Sequence, residues 1–227
     1  VCLRAFMARG TAPRTRRARF AHRLIIMAKS PRRGYVKRRL AREIGEGAAV
    51  SFYRSCLARS VQRLARDPRW TTLLALAPDV DAVSSLPMLR GVSRLPQGRG
   101  DLGRRMQRLF DRMPPGPVII IGSDIPAIAP ERIAEAFALL GRHDAVLGRA
   151  LDGGFWLIGL KRSPRVFASF AHVRWSGPHA LDDTLANLTG ARVAFTATLC
   201  DVDTREDYLS LCASAARLVS GRARYPK

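Results

Sequence analysis

At 227 residues the chain has room for one domain with short extensions. Hydrophobic residues make up 47%, ample for a core, and no apolar run approaches the length of a membrane-spanning helix. Lysine and arginine number 39 against 18 acids, a formal charge of +21, which admits nucleic acid, a membrane surface or phosphorylated substrates as partners.

Much of that charge is local. Residues 1–22 carry six arginines and no acid, and residues 23–45 carry eight Lys or Arg and one Glu. Aromatic residues are only 7%, with no interleaved aromatic and basic stripe, no helix-turn-helix and no zinc-finger pattern. Specific nucleic-acid binding is therefore not expected. Cys2, Cys56, Cys200 and Cys212 show no metal-ligand spacing and read as reduced thiols of a cytoplasmic protein. His22, His143, His172 and His179 are scattered, which argues against zinc.

Residues 1–22 read as a basic, disordered tail, and the domain is expected over 23–219, with a second basic tail at 220–227. RLIIMA at 23–28 reads as a first strand. A basic loop with Pro31 and Gly34 follows, running to Leu40, where phosphate binding is expected after the first strand of an α/β domain. Lys29 and Lys37 are its candidates for reaching a diphosphate. The loop matches neither the dinucleotide nor the P-loop fingerprint.

Residues 47–66 have helical spacing, with Val50, Tyr53, Leu57, Val61 and Leu64 on one face and Asp67-Pro68 as the stop. TTLLAL at 71–76 is a second strand, and 80–96 carries no readable pattern. Three glycines around Asp101 suggest a ligand-facing loop that opens a helix at 102–112, although Asp101 also suits a plain N-cap.

Val118 to Gly122 begins with four β-branched residues, as in a strand buried on both faces of a parallel sheet. It stops at Ser123-Asp124, which places the Asp124 carboxylate at the carboxyl edge of the sheet. There a carboxylate can hold Mg²⁺ or Mn²⁺ against phosphate oxygens. The alternative role for Asp124 is to cap the helix near Pro130, expected over 130–141 with Ile133, Ala136, Phe137 and Leu140 on one face. A short strand at 144–148 and a turn at Asp152-Gly153-Gly154 running into an apolar strand come next; that turn permits close backbone approach to a ligand. A Ser-Gly-Pro helix start within 175–189, a strand at 191–199 and a Thr204/Asp207 capping box before a last helix complete the series. Alternating strands and helices imply an α/β fold with a mostly parallel sheet.

Six stretches taken together carry a resemblance: AKSPxxGxVKxRL after the first strand, QGxGDLGxRM, GSDxP, DGGFWLIGL, a WS segment and DVDTxEDY. In this order they resemble the bacterial GT-A-fold glycosyltransferases of the selenodomain-associated type, over residues 23 to about 210. That group is similar to molybdopterin guanylyl- and cytidylyltransferases and to 2-phospho-lactate guanylyltransferase. The resemblance implies a single three-layer α/β/α domain of the nucleotide-diphospho-sugar transferase kind. Lys29 and Lys37 would contact nucleotide phosphates, Asp101 and Gly103 would shape the nucleotide or sugar pocket, and Asp152, Gly153 and Gly154 would line the acceptor side. Asp124 would bind the metal with Asp203 as a second carboxylate. On chemical grounds, Asp152 is the candidate for activating the acceptor hydroxyl or stabilising an oxocarbenium-like centre in glycosyl transfer. The implied activity is metal-dependent glycosyl transfer from a nucleotide-sugar, or alternatively nucleotidyl transfer from a nucleoside triphosphate to a phosphorylated acceptor. The pattern departs at Arg38, where a small hydroxylated residue is expected, and at Ile125 and Ala127 in the GSDxP stretch.

Overall fold

The computed structural model describes residues 20–83, 91–163 and 167–222. The basic stretches at 1–19 and 223–227 lie outside them. The elements run β1 (Arg23–Lys29), α1 (Arg38–Ile44), α2 (Glu46–Ala65), β2 (Thr71–Ala77), α3 (Val80–Val83), β3 (Ser93–Pro96), α4 (Leu102–Arg112), β4 (Val118–Ile121), α5 (Pro130–Leu140), β5 (Ala145–Ala150), β6 (Phe155–Leu160), α6 (Ala180–Asn187), β7 (Val193–Leu199) and α7 (Arg205–Arg222).

The seven strands form one sheet in the order β3-β2-β1-β4-β6-β5-β7. Six strands share a direction. β6 alone runs antiparallel, to both β4 and β5. The central strands have apolar side chains on both faces because both faces are covered. Leu24, Ile26, Ile119 and Ile121 point into a core shared with α2 and α5. Ile25, Val118 and Ile120 point the other way, into a core with α4 and α6. The expected mixed α/β domain with a mostly parallel sheet is the observed one. Among the described residues no helix is long and apolar enough to cross a membrane.

Three local readings need correction. The basic loop after β1 does not run to Leu40; it ends at Lys37, and α1 begins at Arg38, where Leu40 turns inward and is fully buried. The unassigned stretch 80–96 holds the short α3 and the edge strand β3. β3 has one exposed and three half-exposed positions and ends in a proline, which suits a sheet edge and leaves no apolar signal. The helix sought within 175–189 occupies only Ala180–Asn187.

Candidate functional site

The carboxyl ends of β1 and β4 meet at the centre of the sheet, where Ile26 pairs with Ile121. Beyond β4 the chain turns at Gly122, whose N–H donates to the Trp156 carbonyl at 3.2 Å. Ser123 is buried, and Asp124 follows half-exposed. The helix at 130 is capped by Ala129 without a side-chain bond, so Asp124 does not serve as its cap. Asp124 Oδ2 instead meets Lys37 Nζ at 2.8 Å.

The same ammonium lies 2.7 Å from Asp203 Oδ1. Asp203 arrives from the far side of the sheet, past the end of β7. There the extended chain alternates, with Val202 buried and Asp201 and Asp203 half-exposed on either side of it. One oxygen each from Asp124, Asp201 and Asp203 lie within 4.8 Å of one another. The segment is held by the capping box at the start of α7. Asp207 Oδ2 accepts from the Asp203 N–H at 3.0 Å, the Thr204 N–H at 2.8 Å and the Thr204 hydroxyl at 2.7 Å, while the Asp207 N–H returns to Thr204 Oγ1 at 3.2 Å.

Lys37 has a side chain only 3% exposed, against 35% for Asp124 and 40% for Asp203. Burial works against its ammonium, but the two carboxylates outweigh burial and hold its pKa above the ordinary lysine value. Burial pushes the Asp201 carboxyl up, and the Asp203 charge adds to that. Lys37 also has a left-handed backbone, φ 46° and ψ 48°, at the N-terminus of α1.

Behind the cluster, Tyr53 from α2 binds the end of β1 to the end of β4. Its hydroxyl accepts from the Lys29 N–H at 2.9 Å, donates to the Lys29 carbonyl at 3.1 Å and lies 2.9 Å from Ser123 Oγ. Burial is the main cause pushing its pKa up to about 12, so it remains a neutral phenol.

These groups open on a cleft of about 480 Å³. Its walls include Lys29, Lys37, Tyr53, Asp124, Phe155 and Asp203, and further cations enter from Arg38, Arg39 and Arg105. The volume suits a small ligand. Gln97 also lines it, but the Gln97 side-chain amide is spent on the carbonyls of Ala28 and Ala75, at 2.9 and 2.8 Å.

Of the residues singled out in the sequence, Lys29, Lys37, Asp124 and Asp203 therefore converge on one cleft. Asp101, Gly103, Asp152, Gly153 and Gly154 do not line it. Asp101 is the N-cap of α4 and accepts from the Arg104 N–H at 2.8 Å. Gly103 is buried where a Cβ would lie 2.8 Å from Trp175 Cζ2 and 2.9 Å from Phe170 Cβ. Asp152 accepts from the Gly154 N–H at 3.0 Å in an exposed turn, and its charge helps raise the Asp201 carboxyl. Gly153 has φ +85° and abuts the Pro178 backbone.

Asp201 and Tyr53 were not singled out for chemistry. Asp201 was legible, since residues two apart in an extended chain share a side. Tyr53 was read as one of an apolar helix face, and nothing in that pattern announces where its hydroxyl goes.

A family model described as an uncharacterized protein conserved in bacteria (DUF2064) matches residues 60–177, just over half of the chain. The chain belongs to this family. The DUF2064 span holds Asp101, Asp124 and Asp152, while Lys37, Asp201 and Asp203 lie outside it. No curated protein matches the chain by sequence. Among solved structures, a provisionally assigned nucleotide-diphospho-sugar transferase from Desulfovibrio desulfuricans G20 is 28% identical with a TM-score of 0.72, over 81% of this chain and 82% of that one. A 4-diphosphocytidyl-2C-methyl-D-erythritol synthase from Anaerococcus prevotii aligns with a TM-score of 0.60 at 11% identity, over 86% and 98% of the two chains. A mannosyl-3-phosphoglycerate synthase from Rubrobacter xylanophilus aligns with a TM-score of 0.52 at 11% identity, over 90% and 74%. The last two are likenesses of fold alone. This DUF2064 protein thus has the fold of nucleotide-diphospho-sugar transferase-like proteins.

Proposed function

We propose that this protein transfers a sugar from a nucleoside-diphosphate donor to an acceptor hydroxyl, in a metal-dependent reaction. The observation that carries this reading is the meeting of Asp124, Asp201 and Asp203 at the carboxyl edge of the sheet, beside a cation-lined cleft. The likeness to the Desulfovibrio protein favours a nucleotide-sugar as donor.

The donor set fits a divalent cation such as Mg²⁺ or Mn²⁺, which prefers hard carboxylate oxygens. Such a cation, held by Asp124, Asp201 and Asp203, supplies positive charge against a diphosphate leaving group. Lys29 extends along the cleft wall to neutralise the same diphosphate. In the transfer, the acceptor oxygen bonds to the anomeric carbon and the bond from that carbon to the diphosphate oxygen breaks. The nucleoside diphosphate leaves with the electron pair, and the hydroxyl proton passes to Asp152, in the turn before β6, whose charge acts on Asp201 of the cluster.

A second reading rests on Arg38, Arg39 and Arg105 in the same cleft. Three further cations suit a nucleoside triphosphate and a phosphorylated acceptor, joined with release of pyrophosphate. The test is product analysis with Mn²⁺ across a panel of nucleotide-sugars and nucleoside triphosphates. Release of a nucleoside diphosphate supports glycosyl transfer. Release of pyrophosphate replaces it with nucleotidyl transfer. Neither product from any donor overturns both.

A further inference from the structure

Lys37 is an expected phosphate ligand that is already engaged. Its Nζ sits 2.8 Å from Asp124 Oδ2 and 2.7 Å from Asp203 Oδ1, buried beneath two carboxylates that face the cleft. A buried ammonium between two carboxylates satisfies the charges that a divalent cation would satisfy. We infer that Lys37 is the resident cation of this cluster, and that a divalent metal binds by exchanging with it. The inference rests on the metal-dependent reading above and deepens it.

Charge favours exchange over simple addition. Asp124, Asp201 and Asp203 carry three negative charges against Lys37, with Arg39 Nη1 a further 3.9 Å from Asp203 Oδ2. A divalent ion added to that set would leave the cluster net positive, in a cleft whose other walls hold Lys29, Arg38 and Arg105. If Lys37 withdraws, the ion meets the carboxylates with less repulsion. The backbone is suited to that movement. Lys37 lies in the left-handed region, where a side chain is uncommon and its surroundings must hold it. It ends a loop whose residues Arg32, Arg33, Gly34 and Tyr35 are exposed, with Gly34 also at positive φ. Once freed, the ammonium is placed to follow the diphosphate that arrives with the metal. Metal and nucleotide would then each strengthen the binding of the other.

The experiment is Mn²⁺ binding to the nucleotide-free protein, followed by the electron paramagnetic resonance of free Mn²⁺. Lys37→Met is expected to bind Mn²⁺ at least tenfold more tightly than the native protein, and Lys37→Arg is expected to bind as the native protein does. Equal or weaker binding by Lys37→Met overturns the inference, because Lys37 would then assemble the carboxylates rather than occupy them. A second measurement uses the native chain and does not depend on a variant folding. Acetylation of Lys37, read by mass spectrometry, is expected to rise when saturating Mn²⁺ is present. Unchanged acetylation at saturation means that metal docks above an undisturbed lysine, and the inference fails. Thermal shifts with nucleotide-sugars report separately. Nucleotide binding without exchange defeats only this inference, and exchange without nucleotide binding defeats only the proposed function.

Discussion

Tyr53 Oη lies 2.9 Å from Ser123 Oγ, so a helix on one face of the sheet grips the residue immediately before Asp124. The same oxygen exchanges two hydrogen bonds with the backbone of Lys29. One buried phenol thereby fixes the spacing between the two strand ends that form the floor of the cleft.

Tyr53→Phe tests this link. It leaves the Lys29 N–H and carbonyl and the Ser123 hydroxyl without their shared partner, at a cost of about 1–3 kcal/mol. Urea denaturation is expected to show that loss with little change in slope. Nucleotide affinity is expected to fall as well, because Asp124 follows Ser123. A stability loss with unchanged nucleotide affinity would confine Tyr53 to a structural role.

Gly103→Ala is expected to destabilise the protein by about 1–3 kcal/mol through overpacking. The new methyl would meet Trp175 Cζ2 at 2.8 Å, Phe170 Cβ at 2.9 Å and the Phe170 carbonyl at 3.2 Å. Thermal unfolding checks it. If this glycine served only a nucleotide, the melting temperature would stay put and affinity alone would change.

The fold was legible because its signals are local and repeated. Val118 to Ile121 announced a doubly buried strand, and Thr204 with Asp207 announced a helix start that the structure realises atom for atom. The edge strand β3 was not legible, since one sheet neighbour and half-exposed side chains leave no hydrophobic period. The site was read in part. Asp124 could be picked out as a strand-end carboxylate, and Asp203 only from the resemblance carried by the DVDTxEDY segment. That Lys37 reaches both is a fact of long-range geometry, between residues 166 apart, and no spacing encodes it. Gly103 stood in a glycine-rich loop that looked ligand-facing, but its neighbours Phe170 and Trp175 come from a distant segment.

Asp207→Ala removes the acceptor of three hydrogen bonds at the start of α7. The loss of such a cap costs about 1 kcal/mol. The Thr204 hydroxyl and nearby N–H groups hold the Asp207 pKa below the ordinary carboxylate value. Its contribution is therefore present above an unfolded pKa of about 3.9 and disappears as pH falls through the lower folded value. The stability gap between native protein and variant is expected to be full at pH 7 and to narrow below about pH 4. A gap independent of pH would mean that the ionised carboxylate is not what caps the helix.

Asp152 offers the sharpest kinetic test. Its Oδ1 already accepts from the Gly154 N–H, so the side chain has a conformational task at the turn into β6. Asp152→Asn keeps an oxygen for that bond and removes the base. If Asp152 takes the acceptor proton, kcat is expected to fall by about 10²–10⁴-fold, the span typical of a positioned general base. The KM for the donor is expected to change little, since the proposed reading assigns donor binding to Lys29 and to a metal on the carboxylate cluster, not to Asp152. A turn-forming role predicts the reverse, a near-native kcat with at most a small stability loss. Steady-state kinetics of nucleoside diphosphate release, run beside a melting curve for the same variant, separates the two.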